Sequence, residues 1–406
     1  MAVFNRRNVL KVTLGAVSMA PVLVRDALAQ AQVLTREQAE KVLFPAPGLP
    51  GGGQLEVRME VSGENSDPDV VEIARRMKPY NPESYYSEHQ RMAEKNEVLA
   101  QKFEQEGRRI TASEFYLRAS GFWRGTVNFM ADTDPRMLPA YNKLKETYEK
   151  AYTLVPPPWE KVSIPYEGQT LEGHFYAARQ PAGQRAPVVF NYLGADAFLL
   201  GGATDGGAGA YRARGMSYLV VDGPGHGGSL RLKKLYATPD SERYTKAVVD
   251  YLVSRPDIDA NRIGINGQSL GGYSAPRSVT AEKRIKACAG TSCAYALRDD
   301  IFDYYPPIQE RLRWLIGAKT LKEAREKIAE FTIEGRAKQI ECALLVGYGL
   351  EDRVMDPRGA LKLYENATNA KREIIGGFGH LGDRAIELRS YFVDWFAKQL
   401  GSSGRA

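Results

Sequence analysis

Two textures divide the chain. From residue 67 to 154 apolar positions recur every three or four residues, and beyond Pro156-Pro157-Pro158 they gather into short apolar runs. The first texture is the period of amphipathic helices. It predicts helices over 68–77, 82–106, 111–130 and 135–152. Pro68 and Pro82 stand at first-turn positions, where proline is tolerated, and Gly107 closes the second helix. Phe115, Tyr116, Phe122, Trp123 and Phe129 make the third helix aromatic, and most of them are expected as core between helices. Upstream, a helix over 35–43 and a Pro/Gly-rich link over 45–53 are expected. The triple proline stops the last helix and extends the link.

The second texture predicts strands over 161–165, 171–177, 188–192, 217–221, 263–266, 285–289, 343–347 and 372–375. The first two form a hairpin around Glu167-Gly168. Helical segments over 240–254, 270–279, 357–368 and 383–399 separate the later strands. Strand alternating with helix is an α/β pattern, a largely parallel sheet covered on both faces. The stretch 295–334 is more helical and is expected over the carboxyl edge of that sheet.

Composition adds three constraints. The chain has 406 residues, 43% hydrophobic and 26% charged, enough for a large core and more than one domain. Asn5-Arg6-Arg7-Asn8-Val9-Leu10-Lys11, an apolar run from Val12 to Val24 and Ala27-Leu28-Ala29 resemble a twin-arginine export signal with a small-x-small cleavage site. Residues 1–29 are therefore expected to be removed, with a periplasmic or secreted product. The formal net charge of +6 falls to +3 without them. So mild an excess, with no basic stripe interleaved with aromatics, does not point to nucleic acid. Beyond the signal no stretch is apolar enough for stable membrane insertion. Cys288, Cys293 and Cys342 lack paired zinc spacing; buried free thiols fit best, with a Cys288–Cys293 disulfide as the alternative.

The chemistry gathers at Asn261 to Tyr273. A β-rich run ends at Asn266 and passes through Gly267-Gln268-Ser269-Leu270-Gly271 into a helix-permissive segment. This is a G-x-S-x-G nucleophile elbow between strand and helix, with Ser269 at its tip. A serine nucleophile needs a base, and the base an orienting acid. Of four histidines, His380 lies in the Gly-rich loop after the last strand, where a base belongs; His226, after Asp222-Gly223-Pro224-Gly225, is its one rival. His89 falls among the helices and His174 on the hairpin. Asp352 follows the penultimate strand and is the expected acid, with Glu351 and Asp356 as neighbours that a small shift of register would favour. Leu270 N–H and an amide of the loop Leu193 to Ala197, Ala195 ahead of Asp196, are the expected oxyanion donors. No metal-ligand cluster and no cofactor fingerprint is present; Gly223 to Gly228 lacks the spacing of a phosphate loop.

Asp257 to Gly264 leading into Gly267 to Gly272 resembles the dienelactone-hydrolase-related branch of the α/β-hydrolases. Ala112 to Ser120, Asp134-Pro135-Arg136, Ala140-Tyr141 and Val162 to Gly168 are similar to a narrower group within it. That group holds the dihydroxypseudooxynicotine hydrolase and the fungal hydrolases that shorten polyketide pigment precursors. The resemblance covers about residues 80–400. It implies an α/β-hydrolase fold with a helical N-terminal cap, here 30–158, and a catalytic domain over 159–401. It also implies a Ser-Asp-His triad and cleavage of a carbon–carbon bond beside a ketone or of an ester. An additional pocket acid is implied after the strand that follows the elbow helix; Asp299, Asp300 and Asp303 compete for the place, with Asp300 ahead. The expected partner is a small-molecule substrate, and a homodimer is left open. A non-catalytic protein of the same fold and, further off, a peptidase are the competing readings.

Overall fold

The computed structural model describes residues 67–402 apart from 79–80, 129, 201–204, 378 and 381–385. The export signal, the helix over 35–43, the Pro/Gly-rich link, Phe129 and the first three residues of the helix over 383–399 lie outside the described residues.

Four helices come first: α1 (Pro68–Arg76), α2 (Pro82–Gln105), α3 (Arg109–Asn128) and α4 (Met137–Leu154), each bound within two residues of its expected position. Side-chain caps begin the first two. Asp67 accepts from Asp69 N–H at 2.9 Å and Asn81 from Ser84 N–H at 3.0 Å. Arg118 of α3 reaches back to Asp67 and Asp69 at 2.7–2.8 Å and fastens α1 to the bundle. Ile73, Met92, Trp123, Tyr141 and Leu144 fill the space between the helices. One more ring joins them from outside the bundle. Phe198, in the loop behind a strand of the sheet, is 1% exposed and packs into this same cluster.

The sheet has eight strands, β1 (Glu160–Tyr166), β2 (Gln169–Tyr176), β3 (Ala186–Tyr192), β4 (Ser217–Val221), β5 (Ile258–Gln268), β6 (Ile285–Thr291), β7 (Ala343–Gly349) and β8 (Arg372–Gly377). Their order is β1-β2-β4-β3-β5-β6-β7-β8. The β1–β2 and β2–β4 pairs are antiparallel and the rest parallel. Every residue of β3 and β4 is buried, as strands covered on both faces require. The helices around it are α5 (Asp205–Ala213), α6 (Gly227–Arg231), α7 (Ser241–Ser254), α8 (Leu270–Ser278), α9 (Gln309–Leu315), α10 (Leu321–Ile328), α11 (Pro357–Asn366) and α12 (Ile386–Gln399). Val248, Leu252, Tyr273 and Leu363 of α7, α8 and α11 pack on one face, and Tyr211 and Phe396 of α5 and α12 on the other.

Two departures from the expected pattern have physical causes. Helix α5 carries three glycines in nine residues, each lowering helix propensity by about 1 kcal/mol. Burial of Ala208 and Tyr211 against the sheet overrides that preference. Strand β5 begins five residues before the predicted run, because Ile258 pairs with Ala186 ahead of a bulge. The stretch 295–334 forms a π turn (Arg298–Phe302), a 3-10 turn (Pro306–Ile308), α9 and α10. It lies over the carboxyl edge: Tyr304 donates to the Asp352 carbonyl at 2.9 Å, and Arg313 pairs with Asp132, beside the helices, at 2.6 Å. All three cysteines are free thiols. Among the described residues no helix is long and apolar enough to cross a membrane.

Phe198 ties the helices to the sheet, so Phe198→Ala tests that attachment. Loss of a buried aromatic ring is expected to lower stability by about 3–5 kcal/mol. A shift of the urea midpoint measures it, and a loss under 1 kcal/mol would show that the ring is dispensable.

Candidate active site

Ser269 stands between β5 and α8 with φ 56° and ψ −118°, a region L-residues seldom occupy. The strain, about 1–3 kcal/mol, persists because the surroundings fix it. Ser269 N–H donates to the Thr291 carbonyl at 3.0 Å and its own carbonyl accepts from Gly272 N–H at 2.7 Å. The flanking glycines are steric necessities. A Cβ on Gly267 would lie 2.0 Å from the Gly271 oxygen, and one on Gly271 would lie 2.4 Å from the Tyr192 oxygen.

His380 comes to this serine from the far end of the sheet. Its Nε2 lies 3.0 Å from Ser269 Oγ, and its Nδ1 lies 2.9 and 3.0 Å from the two oxygens of Asp352. With Nδ1–H donating to the carboxylate, Nε2 is free to accept the serine proton. Asp352 is 2% exposed. Burial pushes its pKa upward, but the adjacent imidazole, the Met355 N–H and the Ser292 hydroxyl outweigh it and hold the carboxyl below its usual range. Oδ1 accepts from Val354 and Met355 N–H at 2.8 and 2.9 Å, and Oδ2 from Ser292 Oγ at 2.7 Å.

Ser292 is a member of the site that the sequence does not announce. It follows β6 with φ 51°, and this turn carries its hydroxyl across to the acid after β7. A lone serine in Thr291-Ser292-Cys293 gives no local signal for such a contact.

The remaining candidates separate by surroundings. Leu270 is the first residue of α8, next to Ser269. The loop after β3 lies against the elbow: a Cβ on Gly194 would be 3.3 Å from Ser269 Cβ, and buried Ala195 follows. His226 is enclosed, its Nδ1–H donating to the Pro224 carbonyl at 3.0 Å. Burial brings its pKa down to about 4. His174 is sandwiched against Trp159 with ring centroids 3.5 Å apart, and His89 donates to the Tyr85 carbonyl within α2. Glu351 is exposed, and Asp356 caps α11 through Arg358 N–H. Asp299 pairs with Arg298 and Asp303 with Arg325. Asp300 is half-buried, and its Oδ2 accepts from Tyr295 and Ala296 N–H at 2.6 and 2.9 Å, pinning its own turn. Burial raises its pKa to about 6.

Across 320 residues the chain is 30% identical to Hydrolase LUC6 of a Fusarium species, covering 68% of this chain and 76% of that one. It is 32% identical over 249 residues to Alpha/beta hydrolase psoB of Aspergillus fumigatus, 56% of this chain and 54% of psoB. The chain belongs to the α/β-hydrolase family. Within this hydrolase, residues 208–402 match the prolyl oligopeptidase family. The solved structure of the 2,6-dihydroxy-pseudo-oxynicotine hydrolase superposes with a TM-score of 0.70 at 24% identity, covering 83% of this chain and 94% of that one. That likeness shows the same fold, N-terminal helices included.

Two substitutions probe Asp352 and Asp300. Ser292→Ala removes a hydroxyl from a carboxylate, which costs roughly 1–3 kcal/mol. A depressed folded pKa stabilises above the unfolded value, here 3.8, and the benefit fades as pH falls through the folded one. The stability deficit of Ser292→Ala at pH 7 is therefore expected to narrow in urea unfolding below pH ~3.8; a deficit independent of pH would contradict this. Asp300 has the opposite sign. Its raised pKa favours the folded state at low pH, and that stabilisation is lost as pH rises from 3.8 through about 6. An asparagine oxygen can accept both N–H groups without charge. Asp300→Asn is expected to gain on the wild type by on the order of 1–3 kcal/mol between pH ~4 and ~7, read from paired unfolding curves.

Proposed function

We propose that this hydrolase is an exported serine hydrolase that cleaves an acyl bond, with Ser269 as nucleophile, His380 as base and Asp352 as orienting acid. The observation that carries the proposal is the single imidazole spanning 3.0 Å to Ser269 Oγ on one side and 2.9 Å to a buried carboxylate on the other. His380 Nε2 takes the Oγ proton as the oxygen attacks the substrate carbonyl. The negative charge that moves to the carbonyl oxygen is stabilised by Leu270 N–H, at the start of α8, and by Ala195 N–H from the loop beside the elbow. Collapse expels the leaving group, which takes the proton from His380. Water, deprotonated by the same nitrogen, then attacks the acyl-enzyme and returns free acid and serine. The charged, depressed state of Asp352 is the one that stabilises the transient imidazolium.

Either of two acyl bonds fits this sequence of steps. In an ester the departing alkoxide needs one proton, and His380 holds it. In a β-diketone the departing carbon needs a proton as well, which the same imidazolium or a second acid could give. The engagement of Asp300 by its own turn favours the ester. The resemblance to carbon–carbon hydrolases favours the ketone. The twin-arginine-like start supports action outside the cytoplasm on a small molecule.

The test combines fluorophosphonate labelling with turnover of short nitrophenyl esters, aryl β-diketones and a peptide nitroanilide. Labelling at Ser269 and loss of all turnover in Ser269→Ala are expected. Asp352→Asn is expected to lose on the order of 10⁴ in kcat. No labelling of the folded protein would overturn the serine-hydrolase proposal. Diketone cleavage that Asp300→Asn abolishes, with esters untouched, would move the assignment to the carbon–carbon bond. Selective anilide cleavage would move it to a peptidase.

A further inference from the structure

Two arginines, one buried and one largely so, lie beside the loop that touches Ser269. Arg231 ends α6 and is 3% exposed; Arg311 lies in α9 with its side chain 9% exposed. The Trp314 ring lies between them, 5.0 Å from the Arg231 guanidinium carbon and 5.3 Å from that of Arg311. Phe198 and Tyr141 approach Arg231 at 4.6 and 5.4 Å. Ring faces attract a cation but accept its N–H groups poorly. The Arg231 Nε and Arg311 Nη2 atoms are buried with no hydrogen-bond partner.

The neighbouring carboxylates leave Arg231 Nε and Arg311 Nη2 without an acceptor. Asp222 is buried and accepts from Leu199 and Gly228 N–H at 2.7 and 2.9 Å, and Asp132 pairs with Arg313. Asp196 pairs with Arg311 Nε at 3.4 Å through Oδ1, which is itself buried, while the rest of its side chain is 42% exposed, so the pair lies at the border with solvent and leaves Arg311 Nη2 unmet. Burial first, and then repulsion from Arg311, lower the pKa of Arg231 to about 9, which leaves it charged at neutral pH. Unpaired buried donors on cations are rare in folded proteins and call for an anion.

The loop behind β3 sets the distance to the chemistry. Gly194 rests against Ser269, Asp196 against Arg311 and Phe198 beneath Arg231. At no more than about 3.6 Å per residue, Asp196 is within roughly 7 Å of Gly194 and Phe198 within roughly 14 Å.

We propose that Arg231 and Arg311 bind an anionic oxygen, a carboxylate in the simplest case, at the end of the substrate remote from the carbonyl attacked by Ser269. This deepens the serine-hydrolase reading and rests on it. Guanidinium forks suit a carboxylate bidentately, and the Trp314 side of the site holds the planar groups in orientation.

The test compares mono-4-nitrophenyl glutarate with 4-nitrophenyl valerate, which replaces the carboxylate by a methyl group. Wild type is expected to favour the glutarate ester in kcat/KM, chiefly through KM. Arg311→Gln is expected to lower the glutarate-to-valerate ratio by ~10–100-fold, the equivalent of one or two charge-assisted hydrogen bonds. Arg311→Lys, which restores the charge without the fork, should recover part of it. A merely structural arginine would weaken both esters together and leave the ratio within about 2-fold, which would overturn the proposal. Calorimetric titration of glutarate into wild type and Arg311→Gln gives a reading independent of turnover. Binding confined to the wild type supports the anion site, and no binding to either overturns it. Turnover that persists in Ser269→Ala would instead count against the serine nucleophile, while the glutarate titration would still decide the anion site.

Discussion

The close passage of backbone through the elbow is the constraint on which the rest depends. The carbonyls of Gly271 and Tyr192 run where Cβ atoms of Gly267 and Gly271 would be, at 2.0 and 2.4 Å. Side chains there would push α8 away from β5 and β3 and release the backbone of Ser269 from its left-handed conformation. Because the helix stays close, the serine oxygen projects above the sheet's carboxyl edge. There the loops behind β3, β6, β7 and β8 can all reach it. The elbow is thus less a motif in itself than the point to which four loops are referred.

This constraint also explains what could be read from the chain alone. Sterically forced glycines leave a mark in sequence, and the strand periods on either side place Ser269 at a turn. Counting later strands puts Asp352 and His380 in loops on the same edge, and the structure brings all three side chains into hydrogen-bond contact. Ser292 is illegible because a contact spanning 60 residues depends on how two turns face one another, and a single hydroxyl has no periodicity. Helix α5 is hidden because its glycines speak against helix and only packing on the sheet decides otherwise. Asp300 stands out by position, yet whether such an acid faces a pocket or its own turn is set by the backbone path from Tyr295, which spacing does not record.

The loop from Leu193 to Phe198 has a double attachment. One end lies on Ser269 and the other reaches into the core of the N-terminal helices through Phe198. Arg124 of α3 adds a bond to the Asp196 carbonyl at 3.2 Å. The backbone beside Ser269 and the seating of the helices are therefore mechanically linked: a change in how α3 and α4 pack is felt along the loop that lies against Ser269.

The three thiols carry a consequence for chemical durability. Cys288 and Cys293 are buried, burial raises both pKa values, that of Cys293 to about 12, and Cys342 is likewise raised to about 12. Since the thiolate is the form that oxidants and disulfides attack, these sulfurs are held in their inert state at neutral pH. No disulfide joins the three thiols, so reducing surroundings find no bond in this fold to break.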